Sequence, residues 1–298
     1  MKINEIKPVR SEKKSVSKII DKFSPAELKE IGLEKESLSS FIQNYFKRAN
    51  ERYLRNSGSD NEKDNILTLL RFCKTRKRGI IKVAVESTDK SGRYVIQTCM
   101  SDQRFIIDTI KLCIEQERLK NEGSVHFTLP VKRNEKDIIS NISLKEDDVH
   151  KLESITRFVV SGIENTNQAE VVRKKLESHL KMAVSAVSDF AKIAEALGKK
   201  AVTFSNSDNI EFKIASESLN WLMQDNFILL SCNEIGLSNT LLSLNEKKCL
   251  GVDWKLFADQ TTLLHLIDDF ISQYKKSGKI FKLIKSQYLS PVKNSGLL

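Results

Sequence analysis

The chain has 298 residues, of which 40% are hydrophobic and 30% charged, with only 4 prolines and 11 glycines. That length holds one large or two medium domains with real cores, and the composition is that of a helix-rich globular protein. The formal net charge of +10 raises nucleic acid or an anionic surface as partners, whereas no apolar run approaches the roughly 20 residues of a membrane span.

Residues 1–22 are polar and lysine-rich and read as an arm. Ser24-Pro25-Ala26-Glu27 is a helix start: a serine cap, a proline at the first helical position and a glutamate three residues on. A second helix is predicted over Leu38–Leu54, from the stripe Phe41, Ile42, Tyr45, Phe46 and Tyr53, and a third over Glu62–Cys73. These helices and the arm are assigned to residues 1–79, which close on the basic cluster Lys74, Arg76, Lys77 and Arg78. No aromatics interleave that cluster to stack bases. A solvated face or linker is therefore favoured over a nucleic-acid patch, and a basic module that binds nucleic acid or an acidic protein partner through this cluster and the arm is kept as the alternative.

From Ile80 the pattern turns to strands. Ile80–Val85 and Tyr94–Thr98 flank the turn Asp89–Gly92, a polar connection Cys99–Gln103 leads to a helix Arg104–Arg118, and Ser124–Leu129 alternates as a strand that Asp137–Ile142 can join. Asp147–Leu152 reads as a short helical linker and Ile155–Val160 as another strand. A long helix Asn165–Leu197 is expected to end on Gly198. The sum over residues 80–200 is an α+β sandwich, a mainly antiparallel sheet with helices on one face. Residues 206–298 read as a second small α+β unit: helix Ile210–Met223, strands Phe227–Cys232 and Gly251–Phe257, helix Leu263–Tyr274 and a β-like run Lys279–Ile284.

Chemistry is sparse. There is no G-x-G, no phosphate loop and no nucleophile elbow. His126, His150, His179 and His265 are far apart, and Asp268 and Asp269 are adjacent, so they do not share a helical face. The five cysteines are scattered without a C-x-x-C pair, which fits a reduced, cytoplasmic chain without a zinc site. No catalytic residue, cofactor or metal is expected. The one suggestive corner is Ser101-Asp102-Gln103-Arg104, where backbone N–H groups at a helix start, backed by an arginine, suit an anion or an amino-acid carboxylate. A plain cap by Ser101 or Asp102 is the competing reading.

Several segments share a resemblance. Tyr94–Thr109 looks like a strand, acidic turn and helix start in the N-terminal region of the large bacterial NAD-specific glutamate dehydrogenases. Glu153-Ser154-Ile155, Asp189-Phe190, Leu219-x-Trp221-Leu222 with Asn226–Leu230, and Ile284–Ser286 with Ser290-Pro291-Val292 resemble that family in the same order. The resemblance implies an ACT-like domain followed by a PAS-like one, a regulatory or oligomerisation region separate from the catalytic domain. It further implies an amino-acid effector, with self-association or the remainder of a larger chain as partner.

Overall fold

In the computed structural model, residues 16–49, 51–56, 62–88, 92–143, 147, 149–226, 229–232, 235–238, 241–244, 249–252 and 272 are described. The chain divides into two compact units, Met1–Leu180 and Lys181–Leu298.

The first unit opens with α1 (residues 16–20) and α2 (Pro25–Ile31). The expected start of α2 is present as a full capping box: Glu27 N–H donates to Ser24 Oγ at 3.2 Å, and Ser24 N–H donates to Glu27 Oε2 at 2.7 Å. The single helix expected over Leu38–Leu54 is two, α3 (Lys35–Arg48) and α4 (Glu51–Asn56), because Ala49 is extended at φ −72° and ψ 117°. The break returns Tyr53 to the side of Tyr45, with ring centroids 5.9 Å apart and both side chains fully buried. α5 (Glu62–Lys74) follows as anticipated.

The strands are β1 (Lys82–Ser87), β2 (Arg93–Ser101), β3 (Lys120–Arg133), β4 (Ile139–Ile142) and β5 (Lys151–Ser161), with α6 (Ile106–Gln116) between β2 and β3. They form one antiparallel sheet in the order β1-β2-β5-β3-β4. Successive side chains in a strand point to opposite faces, and the register sorts them. Cys99, Phe127 and Ile155 align on one face. They share a core with Phe41, Tyr45, Ile66, Leu69 and Cys73 of the N-terminal helices.

The opposite face carries Ile96, Met100, Phe158 and Val160. These are buried too, as are Ile106, Ile110 and Cys113 of α6 and Val172 and Leu176 of α7 (Thr166–Ser205). Helices therefore cover both faces, not one as expected. The central strands β2 and β5 are buried on both sides and need cover on both. Asp147–Leu152 is also not helical. The Asp147 carboxylate accepts the N–H groups of Val149 and His150, at 2.9 and 2.7 Å, and this Asx-type turn displaces a helical one.

In the second unit α7 does not stop at Gly198. It continues to Ser205, since Ala201 and Phe204 pack on Leu219 and Leu222 of α8 (Ile210–Trp221) and its following turn, and Ser216 Oγ donates to Ala201 O at 2.8 Å. That packing outweighs the modest cost of a helical glycine. A π-helical turn, Leu222–Asn226, ends α8. Of the strand expected over Phe227–Cys232, Ser231–Cys232 form β6, pairing with β9 (Leu250–Gly251), Leu229 and Leu230 are outside the ladder, and Phe227 and Ile228 lie outside the described residues. A hairpin β7 (Ile235–Ser238) and β8 (Leu241–Leu244) was not anticipated. The helix Leu263–Tyr274, apart from Ser272, and the run Lys279–Ile284 lie outside the described residues, as does the strand beyond Val252.

Candidate functional site

Two places carry polar chemistry: the corner between β2 and α6, and the junction between the end of α5 and the sheet.

At the corner, β2 runs further than expected, so Ser101 is the last residue of the strand, opposite Glu153, and Asp102 N–H still donates to Leu152 O at 2.9 Å. The chain then turns through Phe105, left-handed at φ 72°, and α6 begins only at Ile106, with no side-chain cap from Phe105. Ser101–Arg104 thus do not form the helix's first turn, and neither Ser101 nor Asp102 is its N-cap residue. Ser101, Asp102 and Arg104 are exposed, whereas Gln103 turns inward and its Nε2 is buried without a hydrogen-bond partner.

On the α6-facing side of the sheet a polar row runs inward from this corner. Thr98 and Thr156 meet hydroxyl to hydroxyl at 2.7 Å, and His126 Nε2 lies 2.9 Å from Ser154 Oγ. Burial lowers the proton affinity of His126, with Arg48 in the same direction, and Asp102 opposes only in part.

The junction overturns part of the basic cluster. Lys77 and Arg78 are exposed, and Lys74 reaches back to the Glu30 carbonyl, but Arg76 is 5% exposed and points into the protein. Its Nη2 donates to Glu153 Oε1 at 2.7 Å and its Nη1 to Ile80 O at 2.9 Å. Arg133 reaches the same carboxylate from β3, Nε to Oε1 at 2.7 Å and Nη2 to Oε2 at 2.8 Å, while also donating to the carbonyls of Cys73, Lys74 and Asp137. Burial pushes Glu153 up, yet the two guanidiniums outweigh it and hold the carboxyl below its ordinary value. Lysine-rich spacing gave no hint that Arg76 was buried. The available signal was Glu153-x-Ile155-x-Arg157, charges alternating in phase with a buried isoleucine.

Among the described residues no group of three or more His, Cys, Asp or Glu side chains is placed to hold a metal, and no helix is long and apolar enough to cross a membrane.

Helices, an antiparallel sheet and a helix-linked corner define an ACT-like α+β domain. Residues 41–176 match the family model described as glutamate dehydrogenase, ACT1 domain. The match begins at Phe41, so helices assigned on sequence to a separate N-terminal segment lie within it, and the resemblance to the N-terminal region of glutamate dehydrogenases holds over this stretch. No curated protein matches the chain.

Proposed function

We propose that this chain is the regulatory and assembly region of a large, cytoplasmic, NAD-specific glutamate dehydrogenase, and that it acts through association of its sheet. The observation that carries the reading is the outer edge of β1. Among the described residues no strand pairs with that side. Ile80 is 53% exposed and Ile81, Val83 and Val85 are only half-buried. An open edge with apolar side chains is a template for a further strand. Antiparallel pairing about Ala84 sets Val83 against Val85 of the partner subunit, so the apolar part of the edge is self-complementary. Sedimentation velocity on the wild type and on Val85→Asp tests this. A concentration-dependent dimer that the substitution converts to monomer is expected, and a wild type that stays monomeric at high concentration contradicts it.

A second reading, amino-acid sensing at Ser101–Arg104, is favoured by the unsatisfied Nε2 of Gln103 beside the exposed Arg104. Titration calorimetry with glutamate and a panel of other amino acids tests it. Heat that is lost in Arg104→Ala supports sensing, and its absence for every amino acid leaves assembly alone.

A further inference from the structure

We propose that the outward face of α8 is a second self-association surface, on which two copies of the chain pair their α8 helices antiparallel about a two-fold axis. α8 carries two apolar stripes. At about 100° per residue, Phe212, Ala215, Leu219 and then Leu222 fall on one side, which packs on Ala201 and Phe204 of α7. Ile210, Ile214 and Trp221 fall on the opposite side and are exposed, Ile210 by 67% and Ile214 by 57%. Nine large apolar side chains are exposed among the described residues, and three of them make this one stripe. A helix with a polar outer face needs no cover, whereas an apolar outer stripe marks a contact surface.

The flanking charges choose the occupant. Lys213 and Glu217 border the stripe on the same flank, and both are exposed. Neither forms an ion pair among the described residues, in keeping with the weaker lysine-before-glutamate order at this spacing. A two-fold axis perpendicular to two antiparallel helices keeps that flank on one side of the pair. With the axis level with Ala215, Lys213 stands opposite Glu217 of the partner subunit, and Glu217 opposite Lys213 of the partner subunit. The same register sets Ile214 beside Ile214 of the partner subunit and Ile210 beside Trp221 of the partner subunit. Stripe and charges are thus complementary to themselves, and a second copy satisfies both. One helix face covers less than the roughly 800 Å² per partner of a standard interface. The contact therefore forms at higher concentration than pairing through β1, with which it shares no residue.

Sedimentation equilibrium on the full chain carrying Val85→Asp tests this, at concentrations well above those that dimerise the wild type. With the β1 edge blocked, a dimer that reappears as concentration rises is the expected α8 pair. Adding Ile214→Asp, at an exposed position that leaves the core intact, is expected to weaken it by about tenfold or more. Adding Lys213→Glu should weaken it several-fold, and Lys213→Glu with Glu217→Lys should restore it, because each charge then faces its opposite again. A Val85→Asp chain that stays monomeric at every concentration overturns the α8 pair and leaves the β1 reading untouched. A dimer insensitive to Ile214→Asp, or a charge exchange that restores nothing, overturns it as well. A dimer that Val85→Asp leaves intact and Ile214→Asp abolishes supports the α8 pair and contradicts the β1 reading instead.

Discussion

Arg76 and Glu153 meet at 2.7 Å with each side chain only 4% exposed, across 77 residues of sequence, tying the segment after α5 to the middle of the sheet. A buried ion pair is poor evidence for net stability, but removing one partner strands the other charge. Glu153 is shared with Arg133, so Glu153→Ala strands two guanidiniums and is expected to cost about 3–5 kcal/mol. The surface pair Arg71–Glu30, at 2.6 Å but with side chains 50% and 46% exposed, is the internal control. Glu30→Ala is expected to leave stability almost unchanged, because solvent screens an exposed pair. Urea denaturation of both variants decides, and equal losses would contradict the clamp.

The pH dependence of stability follows from the same carboxylates. A folded-state pKa below the unfolded one contributes stability that is present above the unfolded value and is lost as pH falls through the folded one. Glu153 is held below the ordinary 4.5, and Glu27 and Asp147 are both lowered to about 2 by hydrogen bonds, led by Lys63 for the first and by the backbone N–H of His150 for the second. Acid loss should therefore extend from near 4.5 down towards about 2. Burial also lowers His126 and His179 from 6.5, so below that value the unfolded chain binds protons the folded one refuses, and stability begins to fall there. Melting temperature measured against pH should show both limbs, and His126→Gln should flatten the upper one.

Two glycines predict opposite signs. A Cβ on Gly123 would sit 2.7 Å from Tyr53 Cα, backbone that cannot step aside, whereas one on Gly198 meets no atom within 4 Å among the described residues. Gly123→Ala should cost about 1–3 kcal/mol through overpacking. Gly198→Ala, inside the continuous helix α7, should gain about 0.5–1 kcal/mol. Thermal denaturation of the pair checks the register of α4 on β3 and the continuity of α7 together.

These residues also mark how far sequence reaches. Ser24, Pro25 and Glu27 act within one turn, so the capping box was legible, as were α5 and the alternation of β3. Gly198 was misread as a stop because the contacts that carry α7 past it, Ala201 and Phe204 on α8, are tertiary. Arg76 was misread as surface charge because its partner lies 77 residues away. At the corner, periodicity placed the helix two residues early, since no pattern announces a left-handed phenylalanine at position 105.

The central claim, that the ACT-like sheet associates through β1, is tested most directly by amide hydrogen exchange on the full chain at low and high protein concentration. The account predicts that alternate amides of Lys82–Ser87, the outward-facing ones, exchange more slowly as concentration rises while those of β2 do not change. Exchange in β1 at the same rate at every concentration would contradict it.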